Sequence, residues 1–367
     1  MSGSPGDGLS SPAASEGAIT IGEEALTNHV AAIFEGHGLP ASDARLAARN
    51  LVQADLRGVW SHGVARTSMY CGRLKAGAAK AQPNITVTAV ADAAALVDGD
   101  DGLGLVVMPR AVEEAVTLAE SRGVGFVGVK NSGHFGMAAF YAEMAVEKGC
   151  LALIFTNASP ALPPYGAAEA HFGTSPLAFA APTPEGAPPF LIDMAMSTVA
   201  RGKLKFSAQR GEAIPEGLAL DAEGRPTTDG AEAFKGTMLP FGGVKGAALS
   251  WMQDLLAGCF TGAGHAGAVG NPFTSLEAPQ NVGHAILCLK GDLFLPREVF
   301  EERTLENIQR AKSLRRADGV DEILTPGEKE ARSAARLSMA GIPLSKDVVE
   351  DLQQLGESVG VPWPESR

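Results

Sequence analysis

The chain has 367 residues, with 30 Lys plus Arg against 42 Asp plus Glu, a formal charge of −12 with histidine neutral. That length suffices for two or three structural units with substantial cores, and the acidic balance excludes nucleic acid as a main partner, because phosphate binding rests on clustered cations. A hydrophobic share of 45% and a charged share of 20% exclude a disordered chain, and no run approaches the ~18 apolar residues of a membrane helix, so no membrane partner is expected.

The first residues, MSGSPGDGLSSPAASEG, lack a basic start and an apolar core; they read as a flexible tail, taken over residues 1–19, and not as a signal peptide. From Glu23 the periodicity is helical, with Leu26, Val30, Ile33 and Phe34 on one face and Gly36 and Gly38 ending the run. A second helix is expected from Ser42 as N-cap to about Leu56, leading into RGVWSHGVAR. The middle of the chain is β-rich at Ile85 to Val90, Gly125 to Val129, Leu151 to Asn157, Leu177 to Ala181, Phe190 to Asp193 and Val282 to Leu289. Helical stretches fall at Met108 to Arg122, Met137 to Lys148 and Gly246 to Phe260. Three strands run from Leu151 to Asp193 without an intervening helix, which argues for an α+β domain over a strictly alternating parallel sheet. Past Pro296 the sequence reads as three exposed helices.

Cys71, Cys150, Cys259 and Cys288 form no CxxC pair and sit mostly in apolar surroundings, the pattern of reduced core thiols in a cytoplasmic protein. No HxxxH, CxxC or paired-carboxylate spacing supports a metal site. Of seven histidines, two lie in Gly-flanked polar turns: Ser61-His62-Gly63 and Ser132-Gly133-His134. If the chain is helical from Gly63 onward, His62 and Arg66 share a face, and an imidazole beside a guanidinium suits a reaction that clamps a carboxylate while a nearby oxygen exchanges a proton. The alternative is a helix cap with an exposed His and a surface Arg. Asn131, Ser132 and His134 are expected near a helix start, where backbone amides face an anion. Gly123 to Gly128 spells GxGxxG, but these glycines enter a strand, whereas the dinucleotide fingerprint follows a strand and opens a helix. Gly242, Gly243, Lys245 and Gly246 before an apolar helix could cradle phosphate. Asp193 ends an apolar strand, either as N-cap of the next helix or as a partner orienting a histidine.

Taken together and in order, RGVWSHGVAR, KNSGHFG, TNASPALPPYG with FGTSPLAFAAP, LIDMAMSTVARGK, LPFGGVKGAALS and LTPGE resemble the malate/L-lactate dehydrogenase family of non-Rossmann NAD(P)-dependent oxidoreductases, from about residue 20 to the C-terminus. The resemblance implies a homodimer using NAD or NADP, with a central mixed or antiparallel sheet domain (residues 81–295) and a helical domain built from both chain ends (residues 20–80 and 296–367). It implies that Ser61, His62 and Asp193 form the catalytic relay and that Arg66, His134 and Thr174 meet a small carboxylate substrate. Cofactor contacts would fall on His134, Ser175, Asp193, Met194, Ala195, Met196, Ser197, Lys245, Gly246, Gly327 and Glu328. The implied reaction is hydride exchange at C2 of a 2-hydroxy acid; reduction of piperideine-2-carboxylate or pyrroline-2-carboxylate is the alternative within the family, and a non-catalytic nucleotide-binding protein the alternative outside it. Trp60 replaces the acidic or small polar residue that many relatives carry before SHG, and would reshape the pocket if it points inward.

Overall fold

The computed structural model describes residues 18–364. The expected tail lies outside the described residues up to Gly17, but its assigned end does not: Ile19–Ile21 forms strand β1, paired antiparallel with Ile342–Leu344. Helix α1 (Glu23–Gly36) buries the predicted face. Helix α2 (Ala41–Leu56) starts one residue before Ser42, because Pro40 takes the N-cap position with extended backbone; Ser42 is inside the helix and caps nothing. After two short 3₁₀ turns, α3 (Thr67–Lys75) completes the N-terminal helices.

The central sheet follows. Its strands are β2 (Thr86–Ala91), β3 (Ala94–Asp98), β4 (Val124–Ser132), β5 (Cys150–Thr156), β6 (Leu177–Ala181), β7 (Phe190–Met194) and, much later, Val282–Lys290. Helix α4 (Gly104–Arg122) joins β3 to β4, and α5 (Ala138–Glu147) joins β4 to β5. Helix α4 begins a turn before the expected Met108, since Leu103, Leu105 and Val106 find burial against the N-terminal helices. Gly123 ends α4 in the left-handed region and β4 starts at Val124, so the GxGxxG run does enter a strand. A Cβ on Gly125 would land on the Ala115 carbonyl oxygen, so glycine there lets α4 lie directly on β4.

Between β7 and the last sheet strand come α6 (Arg201–Arg210), β8 (Ala219–Leu220), α7 (Gly230–Lys235), β9 (Thr237–Met238) and α8 (Val244–Gln253), the last widening into a π-turn over Asp254–Cys259. This excursion shares with the β5–β6 connection a separate core around Leu162, Phe172, Met196, Leu204 and Met238, which the sequence did not separate from the sheet domain. Strand β10 (Val282–Lys290) then returns to the middle of the sheet, giving the order β2-β3-β4-β10-β5-β6-β7. The β3–β4 pair is parallel and every other pair antiparallel, a mixed sheet in an α+β fold. Finally come α9 (Arg297–Lys312), α10 (Glu328–Ala340), β11 (Ile342–Leu344) and α11 (Lys346–Ser358). Leu337, Ile342, Leu344, Val349 and Leu352 share one core with α1 and α2, whereas α9 buries no residue. Cys71, Cys150 and Cys288 are buried free thiols; Cys259 is exposed, contrary to expectation, because the π-turn directs it outward from the apolar stretch that surrounds it in sequence.

Candidate active site

Helix α2 ends at Leu56, and the chain turns through Gly58 into a 3₁₀ turn at Trp60–His62, an extended Gly63 and a second 3₁₀ turn at Val64–Arg66. The continuous helix from Gly63 that would align His62 with Arg66 is therefore absent. The two residues are brought together differently: Arg66 folds back so that its Nε donates to the Ser61 carbonyl at 2.6 Å. Ser61 Oγ lies 2.8 Å from His62 Nδ1, which leaves Nε2 as the ring nitrogen available for proton exchange. The rings of His62 and His134 stack, with centroids 5.7 Å apart and planes within 14°. His134 Nδ1 is 2.6 Å from the Tyr70 hydroxyl and also receives the Gly136 amide at 3.4 Å, so Nδ1 is the acceptor and Tyr70 the donor. Gln280 fixes the backbone here, its Oε1 accepting from the His134 amide at 3.0 Å.

This cluster holds its imidazoles neutral. Burial first, then the Arg66 charge, lowers His62 to about 4. Burial, followed by His62, Arg66 and His284, takes His134 well below the ordinary imidazole value. Burial pushes the Tyr70 hydroxyl up, so it remains a donor across the physiological range.

Asp193 enters from the end of β7. Its Oδ2 accepts the Ala139 amide at 2.8 Å, at the start of α5, whose own N-cap Met137 supplies no side-chain bond. The carboxylate thus caps a helix, but one that precedes it by about fifty residues and not the next helix in sequence. Among the described residues it makes no hydrogen bond to His62. The side chain is open to solvent on the pocket side while protein encloses the rest, and burial raises its carboxyl to about 6 against the opposing pull of the Ala139 and Ala138 amides.

Both residues line one pocket of about 530 Å³, together with Ser61, Thr174, Met194, Ala195 and Gly327. Gly327, with φ +81°, is pressed against Leu191, where a Cβ would sit 2.8 Å from the Leu191 Cβ. Glycine there lets the Thr325–Gly327 turn close the wall. Arg57 also lines this pocket; it pairs with Glu143, and its Nε is buried without a partner. Ser175 Oγ is likewise buried and unpartnered. A mostly apolar cavity with a few polar side chains on its walls, Arg57, Ser61 and Thr174 among them, suits a nicotinamide nucleotide, whose ring needs apolar walls and whose amide and phosphates need donors.

Met196, Ser197, Lys245, Gly246 and Glu328 are not among the walls of this pocket. Met196 is buried in the third core, and Ser197 bridges to Pro240. Lys245 is exposed on α8, while Gly246 packs on the Phe241 backbone. Glu328 is held by Lys312, Arg332 and Thr325. Asn131 and Ser132 are not at a helix start: they belong to β4, with Asn131 Nδ2 donating to Asp98 at 2.9 Å and Ser132 Oγ 3.0 Å from His284 Nε2. Trp60 packs against the helical core and is not among the pocket walls. Arg57 and Tyr70 escaped the sequence reading; Tyr70, four residues after Arg66 and one of three tyrosines, was the more legible of the two. No group of three or more metal-ligating side chains occurs among the described residues.

An α+β fold without a dinucleotide fingerprint, carrying a neutral histidine and a raised carboxyl on one pocket, with the Arg66 guanidinium held beside the histidine, defines an acid–base enzyme outside the Rossmann class. The chain belongs to the malate/L-lactate dehydrogenase family, whose model matches residues 21–353. It is 38% identical over 354 residues to a malate dehydrogenase of Pyrococcus horikoshii, covering 94% of this chain and 97% of that one. It is 41% identical over 265 residues to a (2R)-3-sulfolactate dehydrogenase (NADP(+)) of Chromohalobacter salexigens, covering 72% and 78%. Among solved structures, the sulfolactate dehydrogenase from Methanocaldococcus jannaschii superposes with a TM-score of 0.88 at 33% identity, over 94% of this chain and 98% of that one.

Proposed function

We propose that this chain is an NAD(P)-dependent oxidoreductase that exchanges hydride at C2 of a small 2-hydroxy acid and its 2-oxo acid, with His62 as the acid–base group. The observation that carries this reading is the neutral His62 imidazole, with Nδ1 engaged by Ser61 and the Arg66 guanidinium held beside it. Relatives named malate and sulfolactate dehydrogenase support the substrate class. When bound, the nicotinamide supplies the hydride acceptor or donor. The walls at Asp193–Ala195 and Thr325–Gly327, with Arg57 and Thr174, would hold it. His62 takes the hydroxyl proton at Nε2 in oxidation and returns it in reduction, help worth roughly 10²- to 10⁴-fold in rate. Arg66 has spent Nε on Ser61 and keeps its terminal nitrogens for a carboxylate, with Phe273 covering its face at 4.9 Å. Asp193, nearer neutrality than an ordinary carboxylate, sits on the same pocket wall and exchanges charge with its surroundings near pH 6.

The same reading assigns residues 20–80 and 296–367 to a helical unit and residues 81–295 to the cofactor-binding unit, supported by the core the two chain ends share. It includes a homodimer, supported by an α9 that buries nothing and by Phe294, 90% exposed, just before it. A cytoplasmic location is supported by four unpaired thiols.

The test is a panel of malate, lactate, sulfolactate, ureidoglycolate, piperideine-2-carboxylate and pyrroline-2-carboxylate, followed by NAD(P)H absorbance. Turnover of a hydroxy acid is expected, and His62→Ala should abolish most of kcat while NAD(P)H binding survives. Near-normal turnover by that variant would sink the assignment; turnover confined to the imines would replace the substrate class.

A further inference from the structure

We infer that Asp55 is the positioning residue of the catalytic turn: its buried carboxyl group clamps Gly63 and Val64 and thereby sets His62 and Arg66 relative to one another, an inference that rests on the roles proposed above for those two. Asp55 lies in the last turn of α2, 2% exposed, and is not among the pocket walls. Its Oδ2 accepts the Val64 amide at 2.8 Å. Its other oxygen lies so close to Gly63 that a Cβ added there would land on it. Gly63 has ordinary extended backbone, φ −83° and ψ −159°, so glycine is required at this point for space and not for conformation.

The need for an outside clamp follows from the local structure. The site residues sit in two 3₁₀ turns of three residues each, closed by His62 N to Val59 O at 2.9 Å and Arg66 N to Gly63 O at 2.9 Å. Such turns hold poorly by themselves. The Val64 amide, at the joint between them, is taken by Asp55, and the Val64 carbonyl by Thr67 Oγ1 at 2.7 Å. Both polar groups of the joint are thus fixed from outside the turns. Burial pushes the Asp55 carboxyl up to about 8, opposed by the Val64 amide, so at neutral pH the group is mainly the uncharged acid. It acts by placement and not by charge, and an uncharged amide of the same shape can substitute for it.

The experiment compares Asp55→Asn, Asp55→Ala and Gly63→Ala in the full chain with the hydroxy acid that the wild type turns over best, reading kcat, KM, NAD(P)H affinity by fluorescence and Tm. Asp55→Asn should stay within about threefold of wild-type kcat. Asp55→Ala and Gly63→Ala should lose roughly 10- to 100-fold in kcat, the effect of a small misplacement, with NAD(P)H affinity changed less than about threefold. Gly63→Ala should cost less when added to Asp55→Ala than when made alone, because the oxygen it strikes is gone. Equal damage from Asn and Ala would overturn the inference in favour of a charge role. A lowered Tm with unchanged kcat in Asp55→Ala would overturn it in favour of a structural role, and if that variant does not fold, unchanged kcat in Gly63→Ala does the same. Wild-type inactivity on every acid would overturn the reading of His62 and this inference with it.

Discussion

The Arg66 side chain turns back on its own loop, its Nε donating to the Ser61 carbonyl at 2.6 Å, which puts a permanent charge next to His62, and among the described residues no carboxylate pairs with it. Replacing it by Gln should therefore act twice. Loss of charge-assisted bonds to a substrate carboxylate, about 1.5–3 kcal/mol, should raise KM for the hydroxy acid roughly 10- to 100-fold. The acid limb of kcat/KM should move up from about 4, but stay short of the ordinary 6.5 because burial is the larger cause. A pH profile of the variant measures both; a limb that does not move would separate Arg66 from His62.

Asp193 and Ala139 predict a pH-dependent stability. The Asp193 carboxyl is raised from 3.8 to about 6, so between those values the folded chain holds a proton that the unfolded chain releases. The stability this contributes is complete below 3.8 and is lost as pH rises through 6. Asp193→Asn should thus gain Tm relative to wild type above pH 6 and lose that gain near pH 4, measured by thermal melts. Asp193→Ala, which leaves the Ala139 amide uncapped, should cost about 0.5–2 kcal/mol.

Tyr70→Phe removes the donor to His134 Nδ1 and nothing else of size. Without it the His134 ring can flip or change tautomer, and its stack on His62 loosens. A fall in kcat/KM of about tenfold is expected, in line with one lost hydrogen bond to a buried ring of about 1–1.5 kcal/mol. Unchanged kinetics would show that the His134 orientation is set by Gln280 and Gly136 alone.

Gly125→Ala tests the fold and not the site. The added methyl meets the Ala115 carbonyl oxygen, backbone against backbone, which cannot rotate away. Denaturant unfolding should show a loss of about 1–3 kcal/mol, and the same substitution at exposed Gly77, whose Cβ position has open space, should register only the strain of its positive φ.

How far the sequence reached depended on how local each feature is. The α1 face of Leu26, Val30, Ile33 and Phe34 was legible because helical period is written within four residues. The run Leu177–Ala181 matched its strand to the residue for the same reason. Strand β3, Ala94–Asp98, was not legible: its two alanines carry little β signal, and the strand exists because β2 and β4 flank it. The GxGxxG run could be set aside from sequence, since the order of strand and glycine is local. The Ser42 cap failed because Pro40 ended the turn first.

For the site, the residue types and the tight spacing of Ser61, His62 and Arg66 were in the sequence, and with them the chemistry they allow. The contacts were not. Asp193 meets an amide 54 residues away, His134 meets Tyr70 64 residues away, and the Thr325–Gly327 turn reaches Leu191 across more than a hundred residues. No periodicity encodes such pairs, because they arise when β10 inserts between β4 and β5 and the two chain ends share one core. The sequence by itself determined which side chains can exchange a proton or bind an anion; burial and distance, which exist only once the chain is folded, decided that His62 is neutral, that Asp193 caps α5, and that Glu328 is paired with Lys312 and Arg332.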